Sequence, residues 1–241
     1  MSDYSSELMP VVILAGGQAT RLRPLTDRIP KALVDVAGCP FLWHQLELLK
    51  HHGARRVVLA VGYLGKLIQE HFGDGSEMGI ELQYSFDGPV LLGTGGAIRQ
   101  ALPLLPDKFF VLYGDSYLPC DYRAVAEAFR RSGRRGLMTV FRNDGLFDTS
   151  NVQFEDGRIV RYDKQNRTPA MRHVDYGLGA FDRNVFAELP VGQNCDLADI
   201  YQSLLEDGTL AAFEVHERFY EIGSPEGLRD AIQFFLTKRL G

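Results

Sequence analysis

Apolar residues occur in short unbroken runs, Val11–Ala15, Val57–Val61 and Phe109–Tyr113, each bounded by glycine, proline or a charge. Runs of this length without alternation predict strands buried on both faces. Between them the period changes. Leu42, Gln45, Leu46 and Leu49 recur at three-to-four spacing, which predicts a helix over 41–52 that stops at Gly53. Residues 64–72 and 94–102 read as further helices and 80–85 as a strand. Four strand-then-helix units in series predict a doubly wound, mostly parallel sheet with both faces covered, an α/β fold of Rossmann-like type.

After Asp115 a helix over 121–132 and a strand over 137–142 follow, and then the regular alternation weakens. Residues 152–154 and 158–162 flank Glu155-Asp156-Gly157, whose Asp-Gly step is a hairpin signal. The remainder predicts a strand over 174–181, a helix over 197–206, strands over 210–215 and 219–222, and a closing helix over 225–239. With no repeat or linker, the economical partition is one domain over 1–241. Its larger part is 1–140, and a smaller antiparallel lobe occupies 141–241.

Composition narrows the partners. Hydrophobic residues make up 45% of the 241, enough for a folded core, and 26 basic against 31 acidic side chains leave a formal charge of −5. No Lys/Arg block tracks a phosphate backbone, so nucleic acid is not an expected partner. The apolar runs fall far short of the ~20 residues a membrane helix needs. Residues 1–8 are polar and slightly acidic, unlike a signal peptide, so the expectation is a cytoplasmic protein. The three cysteines, Cys39, Cys120 and Cys195, form no C-x-x-C pair and read as free thiols, and the scattered histidines give no zinc signature.

Three segments carry candidate chemistry. The stretch Leu14-Ala15-Gly16-Gly17-Gln18-Ala19-Thr20-Arg21-Leu22-Arg23-Pro24-Leu25-Thr26, with Pro30-Lys31 after it, follows a buried strand. Its glycines let backbone N–H groups approach a ligand, and Arg21, Arg23 and Lys31 supply mobile positive charge, a combination suited to polyphosphate. It is neither the G-x-x-x-x-G-K-[ST] nor the G-x-G-x-x-G pattern, so a P-loop ATPase and a dinucleotide oxidoreductase both lose support. Second, Gly114-Asp115 closes an apolar strand, where ligands of open α/β sheets collect, and the carboxylate is placed to hold Mg²⁺. Third, Leu92-Gly93-Thr94-Gly95-Gly96-Ala97 is a flexible turn entering a helix.

These segments resemble the signatures of the sugar-1-phosphate nucleotidyltransferases, L-A-G-G-x-G-T-R-L-x-P-L-T with a following P-K, G-D at a strand end, and L-G-T-G-G-A. The resemblance covers about residues 11–230 and implies a GT-A-like fold. It assigns Arg21, Lys31 and Asp115 to catalysis. It assigns Leu14, Ala15, Gly16, Gly17, Thr20, Gly93, Thr94 and Gly114 to the nucleotide, with Asp87 near the position that reads the base. Asp163-Lys164 is similar to the E-K pair that touches the sugar phosphate, and Asp175-Tyr176-Gly177 to the N-A-G step of the sugar pocket. Glu221 stands where a second metal ligand occurs in D-I-G-T-P-E. Residues 1–140 are then the nucleotide-binding part and 141–241 the sugar-phosphate-binding lobe.

Ala19 departs from the usual glycine and points to the heptose-1-phosphate guanylyltransferase branch, which favours GTP and a heptose or hexose 1-phosphate. The implied reaction is Mg²⁺-dependent attack of the sugar phosphate on a nucleoside triphosphate, releasing pyrophosphate. The alternative is a non-catalytic nucleotide-sugar-binding sensor or regulatory subunit. Base, sugar and the choice between monomer and homodimer stay open. The enzyme reading requires the arginine turn and the Asp115 carboxylate to converge on one site.

Overall fold

The computed structural model describes residues 7–240, so the reading of the polar opening stretch falls largely outside the described residues. In chain order the elements are β1 (Val11–Ala15), β2 (Asp35–Val36), β3 (Cys39–Pro40), α1 (Phe41–His51), β4 (Arg56–Val61), α2 (Gly65–Phe72), β5 (Glu81–Phe86), α3 (Gly93–Ala101), β6 (Lys108–Tyr113), β7 (Ser116–Tyr117), α4 (Tyr122–Ser132), β8 (Gly136–Arg142), β9 (Val152–Glu155), β10 (Arg158–Tyr162), β11 (His173–Asp182), α5 (Asn184–Ala187), α6 (Leu197–Glu206), β12 (Leu210–Val215), β13 (Tyr220–Glu221) and α7 (Pro225–Leu240).

Successive residues of each buried strand enter opposite cores, because side chains alternate across a sheet. Val11 and Ile13 of β1, Val57 and Leu59 of β4, and Phe110 and Leu112 of β6 pack with Leu42, Leu46 and Leu49 of α1 and with Val125 and Phe129 of α4. Their neighbours Val12, Val58, Phe109 and Val111 pack on the other face with Ile98 of α3 and Ile200, Tyr201 and Leu204 of α6. Burial of each such side chain contributes about 1.5–3 kcal/mol. Helix limits follow local chemistry: the Asp121 carboxylate accepts from the backbone N–H groups of Arg123 and Ala124 to start α4, and Gly133 at φ 61° ends it.

The expected doubly wound sheet is present, with nine strands in the path β10-β9-β11-β6-β1-β4-β5, and β8 and β12 branching from β11. β1 is parallel to both β4 and β6, and the chain runs from β4 to β5 on one side before returning to β6 on the other. That reversal at β1 and β6 is a topological switch point, where an open α/β sheet leaves a crevice beyond its strand carboxyl ends. The later strands do not form a sheet of their own. β11 pairs antiparallel with β6 and continues the same sheet, while β12 lies parallel to β8, so the lobe after residue 140 is not purely antiparallel.

β13 falls within the strand expected over 219–222, whereas β2, β3, β7 and the single-turn α5 are too short to show a period, and the sequence does not forecast them. β13 matters for function, because its pairing of Glu221 with Ser116 carries the end of the chain back to the end of β6. A third apolar cluster, in which Ala231 and Phe235 of α7 meet Val34, Val36, Phe41, Tyr117 and Ile222, locks that return in place. Among the described residues no helix is long and apolar enough to cross a membrane.

Candidate active site at the sheet switch point

Leu14 of β1 lies opposite Tyr113 of β6, and the Gly114 N–H donates to the Leu14 carbonyl at 3.1 Å, so Gly16 and Asp115 leave neighbouring strand ends side by side. A Cβ at Gly114 would collide with the Leu14 carbonyl oxygen and lie 3.1 Å from Ala15 Cα, so only glycine lets the strand ends close this tightly. A cavity of about 250 Å³ opens there. Of the residues singled out in the sequence, its wall contains Leu14, Ala15, Gly16, Gly17, Lys31, Asp87, Gly93, Thr94, Gly114 and Asp115. It also contains Ala97, which closes the L-G-T-G-G-A segment, and Leu91 and Tyr113, which carry no signature of their own.

The loop after β1 is built from short turns. Ala19 sits in the left-handed region at φ 50°, ψ 42°, and its carbonyl accepts from the Thr26 hydroxyl at 2.8 Å. Thr26 is buried, so this bond ties the strained residue to the protein and sets the turn Thr20–Leu22 that presents Arg21. Thr20 and Arg21 are exposed and stand outside the cavity wall. Arg23, by contrast, pairs with Asp27 at 3.3 Å on the surface.

Arg21 does meet the other charged groups. A methyl group on Gly223 would lie 2.8 Å from Arg21 Nη2, 2.6 Å from Glu221 Oε2 and 3.3 Å from Asp115 Oδ2, so all three side chains face one small space. Lys31 Nζ completes the group with an ion pair to Asp115 Oδ2 at 2.9 Å, and the Ser116 hydroxyl donates to Asp115 Oδ1 at 3.3 Å. Glu221 has a second duty. Its carboxylate accepts from the Gly223 N–H and from the Ser224 hydroxyl at 2.7 Å, holding the entry to α7. Asp115 and Glu221 therefore offer hard carboxylate oxygens of the kind Mg²⁺ takes, one or two per site beside substrate phosphates.

Two of the expected nucleotide contacts have other partners as well. Thr94 donates to Asp196 at 3.1 Å and accepts from the Leu197 N–H at 2.7 Å, joining α3 to the start of α6. Cβ atoms at Gly95 and Gly96 would strike Ile200 and the 193–195 backbone, so the bareness of these glycines serves packing of the 193–195 loop. Asp87 lies within reach of Gly16 and Gly62, accepts from the Leu92 N–H at 3.3 Å, and has its carboxyl titration raised by burial.

On the sugar side, Asp163, Lys164, Asp175 and Gly177 have different duties. Asp163 accepts from the backbone N–H groups of Gln165 and Asn166 at 2.8 and 2.7 Å, which hold its pKa down at about 2 and commit it to shaping its own turn. Lys164, next to it, reaches inward, with Nζ 5.7 Å from the centre of the Tyr113 ring in the cavity wall. Asp175 accepts from Tyr113 and Tyr162 hydroxyls at 3.3 and 3.5 Å and from the Gly177 N–H at 3.1 Å. Burial raises its pKa, and the Lys164 charge opposes that shift. Gly177, at φ 100°, is a bulge residue: β11 shifts register against β8 between Asp175 and Gly179, and a Cβ there would press on Tyr113 at 3.1 Å. Tyr113 and Tyr162 have no motif and surface only in the tertiary structure.

Known proteins resemble this chain over most of its length. The Nucleotidyl transferase family model matches residues 10–238. Mannose-1-phosphate guanylyltransferase of Mycobacterium tuberculosis is 32% identical over 221 residues, covering 89% of this chain and 61% of that protein. UTP–glucose-1-phosphate uridylyltransferase of Synechocystis is 27% identical, covering 96% of this chain and 64% of its own length. This chain thus spans less than two thirds of these relatives. The crystal structure of HddC from Yersinia pseudotuberculosis complexed with GMP-PN superimposes with a TM-score of 0.80 at 25% identity, over 95% of this chain and 100% of that one. With a match over nearly the whole chain, laid over a glycine loop and strand-end aspartate that share one crevice, the protein belongs to the nucleotidyl transferase family.

Proposed function

We propose that this chain joins a nucleoside triphosphate, GTP in preference, to a heptose or hexose 1-phosphate, giving a nucleotide sugar and pyrophosphate. The observation that carries the proposal is the meeting of Arg21 and Glu221 with Lys31 and Asp115, the last two of which line the cavity behind β1. The preference for GTP draws on Ala19 and on two of the comparison proteins, one a guanylyltransferase by name and the other complexed with GMP-PN.

The nucleophile in such a reaction is a phosphate oxygen, already charged, so no general base is required. The work is to bring two polyanions together and to stabilise charge developing around the α-phosphorus and the leaving pyrophosphate. Backbone N–H groups after β1 receive the triphosphate, and Arg21 and Lys31 neutralise it. Lys164 orients the incoming sugar phosphate from the lobe, with Asp175 and its two tyrosine partners beneath it. Asp115, with Glu221 beside it, would hold Mg²⁺, which when bound supplies Lewis-acid charge to the phosphate oxygens.

The test is a screen of four nucleoside triphosphates against a panel of sugar 1-phosphates with Mg²⁺, reading pyrophosphate. Turnover with GTP and a heptose or hexose phosphate is the expected result, and metal-dependent turnover separates an enzyme from a binding-only protein. Arg21→Ala lowers kcat by about 10²–10³-fold with the fold intact, by the measure of losing one preorganised charge donor. Wild-type rates in that variant would refute the assignment.

A further inference from the structure

Gln45 lies in the middle of the apolar stripe of α1 and is 1% exposed. Its Nε2 uses both hydrogens, donating to the Tyr113 carbonyl at 3.0 Å and to the Ser116 carbonyl at 2.8 Å. Those two carbonyls bracket Gly114 and Asp115. The orientation of the amide is fixed by this pair, since the flipped form would set its oxygen against both carbonyls. Its own oxygen, Oε1, is buried and has no hydrogen-bond partner among the described residues. A buried acceptor left unpaired is unfavourable, so an amide here is a poor choice for packing alone. What it does achieve is a rigid tie between a core helix and the turn that carries Asp115.

The same turn is held from two other directions. The Gly114 N–H bonds to the Leu14 carbonyl and the Ile222 N–H to the Asp115 carbonyl at 2.9 Å. α1 is also the helix on which the Lys31 segment closes, through the Phe41 N–H to the Val34 carbonyl at 2.9 Å. One helix therefore sets the position of both members of the Lys31–Asp115 ion pair.

We propose that Gln45 is a positioning residue of this site, holding the Asp115 carboxylate in register with Lys31 through the two carbonyls on either side of it. The proposal rests on the reading of Asp115 as the metal-facing carboxylate. Gln45→Met keeps the length and removes both donors. Three readouts test it: hydrogen exchange at the Gly114 amide, Mn²⁺ affinity of the protein–nucleotide complex by electron paramagnetic resonance, and kcat and KM by pyrophosphate release.

In Gln45→Met the Gly114 amide exchanges at least about 10-fold faster, with Val58 in β4, on the far side of β1, unchanged. Mn²⁺ affinity and kcat each fall about 10–100-fold, the usual effect of losing an outer support of a ligand, while KM for the nucleotide stays within about threefold. Gln45→Glu gives a second, independent signature and serves if the methionine variant does not fold. Its protonated carboxyl can donate one hydrogen, so the defect deepens as pH rises and the donor is lost, a pH response that Gln45→Met lacks. A folded Gln45→Met or Gln45→Glu protein with wild-type exchange at Gly114 overturns the proposal. If the wild-type protein releases no pyrophosphate with any substrate pair, the functional reading falls, and exchange at Gly114 still decides for or against Gln45.

Discussion

A single methyl group can test whether Arg21, Asp115 and Glu221 share one space. In Gly223→Ala the added carbon would stand 2.6 Å from Glu221 Oε2, 2.8 Å from Arg21 Nη2 and 3.3 Å from Asp115 Oδ2. Ordinary van der Waals contact begins near 3.4 Å, so the carboxylate oxygen must retreat by about 0.8 Å and the guanidinium by about 0.6 Å. Both are ends of flexible side chains, and the Gly223 backbone lies outside the left-handed region, so the fold accommodates the change within about 1 kcal/mol. Positions in the site are less forgiving. A misplacement approaching 1 Å costs about 10²-fold in rate when catalysis depends on alignment. Calorimetry should therefore show a melting temperature within about 4 °C of wild type, while steady-state pyrophosphate release falls by about two orders of magnitude. An alanine variant with wild-type kcat would refute the convergence and, with it, the assignment of these side chains to one reaction.

Other consequences are accessible to simple measurements. Ala19→Gly relieves the left-handed alanine and raises stability by about 0.5–1 kcal/mol in denaturant melts, the relief being partly offset by the greater freedom of unfolded glycine. Glu221→Gln weakens the anchoring of Gly223 and Ser224 and lowers stability by about 1 kcal/mol, read as a lower midpoint in urea. Asp175 binds its proton more tightly folded than unfolded, since burial raises its pKa above the ordinary 3.8. Its contribution is thus complete at pH below 3.8 and is lost as pH rises through the elevated folded value. The stability of Asp175→Asn relative to wild type accordingly grows over that rise, and a difference independent of pH in paired thermal melts would contradict the burial argument.

How far the chain can be read without coordinates depends on the range of each interaction. Val11–Ala15 and Phe109–Tyr113 declare themselves as strands because double burial demands continuous apolar side chains, and the alternate packing of Val11 and Val12 into opposite cores is that demand fulfilled. Gly16, Gly17 and Asp115 were legible as candidates because a phosphate cradle and a strand-end carboxylate need those residue types in that order. Asp163 shows the limit of such reading. Its neighbour Lys164 reaches the cavity wall, yet Asp163 itself caps the 165–166 backbone, and an acidic residue beside a lysine looks the same in either role.

Gln45 was visible only as a polar residue in an apolar stripe. Nothing local says that its amide would face the carbonyls of Tyr113 and Ser116, about seventy residues away in the chain. The sequence by itself determined the layered α/β plan and the chemistry of the loop after β1, because periodicity and turn preferences act over a few residues. Only the tertiary structure decided that Arg21, Asp115 and Glu221 face one another, that Tyr113 and Tyr162 hold Asp175, and that β11 continues the main sheet. Those are contacts between segments far apart in the chain, fixed by strand pairing and by the docking of α7, and no local pattern encodes the distance at which such surfaces meet.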